Sequence, residues 1–264
     1  MAEWLSVAEG RSREGLRLVL TAGVPGPWGE AAKAIFHVKR LECPRIAQFG
    51  GQPNTELATW TGENNAPQAI FNDEPPRTDW SSIISLGERL APDPPLIPDD
   101  PGQRDLMFEF LHELAGEGGF GWLRRLMLFA PLMELPAEHP GRKSVAAMAE
   151  RYGYSDEAAT RAPARIAEIL ERMAAQGARQ REAGLAHLIG DRLSALDLYW
   201  AAFAALLGPL PDALCPMPAG LRAGYSQRSP EIDAALDPAL LDRRQAVYDA
   251  WLELPIDLGP GFNP

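Results

Sequence analysis

Cysteine is scarce in this chain. Cys43 and Cys215 are the only two in 264 residues, and neither belongs to a Cys-x-x-Cys pair or a Cys/His cluster. A disulfide framework is not indicated, and a reducing cytoplasmic compartment is expected. Histidine is also sparse: His37, His112, His139 and His187 are scattered, and His112-Glu113 has no second histidine four residues on. No metal site follows from such a pattern. No apolar run reaches the length of a membrane span, and the polar, mixed-charge stretch Met1 to Leu16 lacks the apolar core of a signal peptide. There is no G-x-S-x-G elbow and no phosphate loop of the G-x-x-x-x-G-K-[ST] kind. Basic residues are outnumbered, 25 to 36, for a net charge of −11. The first 92 residues carry 9 basic and 11 acidic side chains and the remainder 16 and 25, so the surplus lies in the second part. Acidic surface repels phosphate backbones and anionic lipids, which disfavours nucleic acid and membrane partners.

What is present is a soluble globular composition, 46% hydrophobic, with length for two domains. Residues 1–15 read as an extension or capping turn. Leu16 to Leu20 is a strand-like run, Thr21 to Pro27 a loop, and Trp28 to Arg40 a helix with Pro27 suited to its first position and Gly26 to its N-cap. Cys43 to Phe49 is a second strand candidate, Gly50 to Asn65 a polar loop, and Gln68 to Phe71 a further strand. Asp79 caps a helix whose Ile83, Leu86, Gly87 and Leu90 share one face. Five prolines between Pro92 and Pro101 make a stiff connector, which puts a boundary at residues 93–102 between a first domain, 16–92, and a second, 103–264. The second reads as helical throughout: Gln103 to Leu128 loosened by Gly116, Gly118, Gly119 and Gly121, then Asp156 to Gln176, Ala195 to Leu207 and a last helix to Glu253. Ser194 and Asp197 have the spacing of a capping box, with Leu193 and Leu198 as its hydrophobic staple.

Four segments in this order resemble the cytosolic glutathione transferases of bacterial type. They are Leu16 to Arg40; Asn65-Ala66-Pro67-Gln68-Ala69-Ile70; Asp79-Trp80-Ser81-Ser82-Ile83-Ile84 with its proline-rich exit; and Gly190-Asp191-Arg192-Leu193-Ser194-Ala195-Leu196-Asp197. The resemblance covers about residues 16–205. It implies an α/β thioredoxin-like N-terminal domain followed by an all-helical one, with glutathione as co-substrate between them. It also implies a homodimer and a role in detoxification.

Carried over residue by residue, the resemblance implies a cis Ala66–Pro67 bond that turns the main chain of Ala66 toward the cysteinyl part of glutathione. Asp79 retains the carboxylate that meets the γ-glutamyl ammonium. Trp80 stands where the family has a serine, and only its backbone N–H can serve there. Asn65 lies where a side chain meets the glycyl end. Val24, Gly26 and Trp122 fall where an acceptor pocket would be lined, although Trp122, like Tyr199, reads equally as core. The departure is at the thiol. The family's Ser, Cys or Tyr is missing between Leu16 and Arg40, and its Ser/Cys position falls near Gly26. Thr21 could donate to a thiolate, or the free N–H groups of Trp28 and Gly29 could stabilise it, or activation has been lost.

Two functions follow. One is an enzyme whose glutathione thiolate conjugates or reduces an apolar electrophile. The other is a binding or scaffolding protein that keeps the fold without turnover. A third, an activity resting on Cys43 alone, has less behind it, since Cys43 lies well past the first helix.

Overall fold

A computed structural model describes residues 3–260. The start of the expected extension, at 1–2, and the end of the helical stretch, at 261–264, lie outside the described residues.

The sheet has four strands in the order β1 (Trp4–Leu5), β3 (Arg45–Gln48), β2 (Leu16–Thr21), β4 (Gln68–Phe71). The first three run parallel and β4 is antiparallel to β2. Side chains alternate along a strand, so β2 feeds two cores. Leu16, Leu18 and Leu20 face α2 (Pro27–Val38) and α4 (Trp80–Leu90). Val19 joins Leu5, Ile46 and Ile70 on the opposite face, under Leu57.

Two expectations are corrected here. Residues 3–15 are not an appendage: Trp4–Leu5 adds the outer strand and α1 (Val7–Ser12) packs on the sheet, capped by Ser6. The loop from Gly50 to Asn65 contains a helix, α3 (Thr55–Thr61), which supplies Leu57. Its polar composition hides a single buried side chain, too little to register as a periodic face.

Helix α2 begins as its sequence implies, with Pro27 at the first position and Gly26 extended before it. Its face of Ala31, Ala32, Ile35 and Phe36 is fully buried. Gly87 of α4 lets that helix approach closely, because a Cβ there would stand 2.8 Å from Ile35 Cγ2.

Beyond the prolines, α5 (Pro101–Ala115) starts inside the segment read as connector, where Asp100 Oδ1 accepts a bond from Gln103 N at 2.8 Å. The glycines at 116–119 split the expected long helix, and α6 (Phe120–Met133) follows. Then come α7 (Pro140–Arg151), α8 (Asp156–Glu182) and the buried α9 (Ala195–Phe203), which ends in a 3-10 turn at Ala204–Leu206. The capping box of α9 forms, and Asp197 also accepts a bond from Leu188 N at 2.8 Å. Helices α10 (Ala219–Ser226), α11 (Pro230–Ala235) and α12 (Pro238–Trp251) close the helical unit. Helix α9 packs on α2, so one apolar cluster runs through both units.

After α12 the chain returns to the sheet as a strap. Ile256 and Leu258 are buried. Leu258 O accepts from Gly23 N at 2.8 Å, and Asp257 Oδ2 accepts from Arg45 at 2.8 Å and from the Trp4 indole at 3.0 Å. Among the described residues no helix is long and apolar enough to cross a membrane.

Candidate functional site

Strand direction gathers the candidate residues at one end of the sheet. Thr21, the last residue of β2, pairs with Gln48, the last of the parallel β3. Val19 pairs with Gln68, the first residue of antiparallel β4, so Pro67 and Ala66 lie beside the end of β2. After its turn the chain runs back along β4, with Arg77 opposite Ala69, and two residues later Asp79 arrives at the same end. The loop into α2, the Asn65-Ala66-Pro67 segment and the start of α4 therefore share one rim. The Ala66–Pro67 bond is cis.

Two buried glutamines, which the sequence reading passed over, hold this rim. Gln48 Nε2 donates to Asn64 O at 3.1 Å, and Gln68 Nε2 donates to Glu63 O at 3.1 Å and Asn65 O at 2.7 Å. Both are almost fully buried, and each is the polar residue of an otherwise apolar strand side, which was the available signal. The oxygens Asn65 Oδ1 and Gln68 Oε1 are buried without a hydrogen-bond partner among the described residues.

Thr21 cannot serve a thiolate as a donor while its proton is used elsewhere. Its hydroxyl donates to Gln48 Oε1 at 2.7 Å, so it braces the glutamine that holds the rim. Trp28 and Gly29, in the first turn of α2, have N–H groups with no partner within the helix. These groups carry the positive end of the helix dipole. The Trp28 ring leaves the rim for the helical unit. Its Nε1 donates to Ala115 O at 2.8 Å, and its ring meets Phe203 edge-on at 5.0 Å between centroids. Gly121 makes room for it: a Cβ there would lie 2.8 Å from the indole. Gly26 is under no such constraint, since a Cβ there would meet nothing within 4 Å. Val24 lies in the same loop, and its carbonyl accepts from Gly26 N at 2.9 Å.

Asp79 caps α4, accepting from Ser82 N at 2.9 Å and Ser81 Oγ at 2.7 Å. Burial pushes its carboxyl up, but the bonds from Ser82 and Ser81 more than offset this and hold it below its ordinary value. The rim therefore carries a carboxylate at neutral pH. Trp80 has the first N–H of α4, and its ring packs against Phe108 of α5 with centroids 6.2 Å apart. Tyr199 is core: it is buried, and its hydroxyl points at Trp80 O, 3.4 Å away. Trp122, on α6, donates from its indole to Tyr152 O at 2.9 Å and lies 4.4 Å from the Tyr152 ring. It stays partly exposed, and the Trp28 ring meets the same Tyr152 ring at 6.4 Å between centroids.

Cys43 does not offer a nucleophile. Burial pushes its thiol up to about 12, against the pull of Arg45 and Arg17. Among the described residues no group of three or more His, Cys, Asp or Glu side chains could hold a metal ion. A cavity of about 390 Å³ opens between α2 and the strap, bordered by Lys33, His37, Arg45 and Tyr248, and none of the candidate residues lines it.

No family model matches the sequence, and no curated protein matches it. Solved structures do match in shape. A glutathione S-transferase from Methylobacterium radiotolerans, in complex with glutathione sulfonate, superposes with a TM-score of 0.58 at 15% identity, covering 89% of this chain and 91% of that one. The beta-etherase LigF from a Sphingobium species gives 0.54 at 16% identity, covering 83% and 98%. Ure2p in complex with glutathione gives 0.57 at 14% identity, covering 84% and 94%. Identities this low establish the architecture and nothing finer: a four-stranded thioredoxin-like unit followed by a helical one.

Proposed function

From a chain that has the fold of the glutathione transferases, we propose a protein that binds glutathione along the rim and uses its sulfur against an apolar electrophile. The Ala66 main chain pairs with the cysteinyl part. The Asp79 carboxylate takes the ammonium of the γ-glutamyl end, the Trp80 N–H its carboxylate, and Asn65 the glycyl end. The sulfur lies against the first turn of α2, where the N–H groups of Trp28 and Gly29 stabilise the thiolate. The thiolate attacks an acceptor held by Val24, Gly26 and Trp122, and the leaving group departs with the electron pair of the broken bond. What carries this reading is the convergence of α2's free N–H groups, the Ala66 segment and an ionised Asp79 on one end of the sheet. A two-fold dimer belongs to the same proposal.

Calorimetric titration with glutathione and with S-hexylglutathione tests it. Both should bind, the alkylated form more tightly because its chain enters the acceptor pocket. Absence of binding by either sinks the proposal.

Non-catalytic binding has one specific observation in its favour. Gly26 brings no side chain to the sulfur, and the Thr21 proton is already committed to Gln48. The ultraviolet absorbance of the bound thiol against pH separates the two readings. Thiolate present well below the free thiol value of about 8.5 supports turnover, and an unshifted value supports binding alone.

A further inference from the structure

Two consecutive arginines on α6 have opposite fates. Arg124 is buried and fully employed: it donates to Leu206 O at 3.0 Å and Gln227 O at 2.8 Å, tying down the 3-10 turn and the end of α10. Arg125 is partly buried and, among the described residues, has no carboxylate partner; the phenols of Tyr225 and Tyr152 lie within its reach. Its Nε is completely enclosed without an acceptor. Its guanidinium lies over the face of Trp28, 5.9 Å from the ring centre. Burial works against its charge, yet the neighbouring phenols of Tyr225 and Tyr152 outweigh it and hold its pKa above the ordinary value. The Tyr225 hydroxyl is itself enclosed and, among the described residues, has no other partner. A guanidinium that has neutral phenols beside it and no carboxylate keeps capacity for an anion, and a planar fork on an aromatic wall suits a planar one.

We propose that Arg125, with Tyr225 behind it and Trp28 as a wall, recognises a carboxylate on the acceptor, so that the favoured electrophile is an aromatic or similarly flat acid. The inference rests on the glutathione reading above and deepens it. Trp28 links the two: its N–H belongs to the sulfur site at the start of α2, and its ring carries Arg125. The acceptor's carboxylate then takes the free edge of the guanidinium while its apolar body lies toward Trp122.

Three ligands test this by calorimetry: glutathione, S-benzylglutathione and S-(4-carboxybenzyl)glutathione. The readout is the ratio of affinities for the carboxylated and plain benzyl forms, which cancels changes common to both. In the natural protein the carboxylate should improve binding about tenfold. Arg125→Gln should abolish the ratio, Arg125→Lys should keep part of it because charge survives without the fork, and Tyr225→Phe should reduce it. Glutathione binding with no preference for the carboxylate overturns the inference and leaves the glutathione reading standing. Failure of glutathione and both derivatives to bind overturns both. A preference that survives intact in a folded Arg125→Gln protein also overturns it. So does a ratio unchanged by substitution while the bound thiol's pKa moves, since Arg125 would then serve the sulfur.

Discussion

At the scale of single residues, Gly26 is the informative position. On the proposed reading it stands nearest the thiol, yet nothing around it demands glycine: its backbone is at φ −65° and the space beyond its Cα is open. Gly26→Ser should therefore fold as well as the natural protein and place a donor at the sulfur. Turnover with glutathione and a generic aryl halide should rise at least about tenfold. An unchanged rate would mean that the sulfur is not held there. Asp79 offers a second test, because cap and ligand roles separate. Asp79→Ala removes both, costing about 1 kcal/mol of stability, while Asp79→Asn keeps the cap and loses the charge. The asparagine variant should unfold like the natural protein and bind glutathione more weakly. Since the folded carboxyl titrates below its unfolded value of about 3.9, its contribution to stability is present above about pH 4 and is lost as pH falls through the lower folded value. The cysteines should be silent. With thiols pushed up by burial to about 12 and about 11, native Cys43 and Cys215 should resist iodoacetamide at pH near 8 and react once denaturant is added. Rapid labelling of the folded protein, followed by mass spectrometry, would contradict this.

At the scale of elements, the site depends on a segment that has little regular structure of its own. The stretch from Glu63 to Asn65 is held by side chains of two strands, Gln48 and Gln68, that donate to its carbonyls. Gln68→Leu should leave two of those carbonyls without their donor. Stability should fall by about 1–3 kcal/mol in denaturant melts, with a larger proportional loss in glutathione affinity. Equal affinity in a folded variant would show that the rim holds itself. This dependence also explains what was legible in the sequence. The strands at Leu16 and Gln68, the proline start of α2, the Asp79 cap and the Ser194–Asp197 box are local signals, written in adjacent residues. Trp4–Leu5 was hidden because two residues make no pattern and gain their structure only from β3. Helix α3 was hidden because its single buried leucine makes no stripe. The candidate rim residues could be named because they cluster in short motifs. Gln48, Gln68 and Arg125 could not, because their roles depend on neighbours distant in sequence, and Thr21 was offered as a donor because Gln48 was invisible as its acceptor.

At the scale of the whole molecule, two contacts join the units besides the packing of Trp80 on Phe108. One is the apolar cluster shared by α2 and α9, with the Trp28 ring set between Phe203 and Gly121. The other is the strap, where Asp257 gathers Arg45 and Trp4. Arg45 is almost entirely buried, so removing its closest anion leaves it only the more exposed Glu253, at 3.3 Å. Asp257→Ala should destabilise the protein by about 3 kcal/mol, seen as a lower thermal midpoint, and an unaltered midpoint would show that Glu253 suffices as partner. The strap also brings the described ends of the chain together. The Trp4 indole rests so tightly on Gly259 that a Cβ added there would come within 2.7 Å of it. Trp4 and Gly259 are thus neighbours, and a chain joined through that contact by a short linker and reopened at the Gly153 turn should keep each described helix and strand beside its present neighbours.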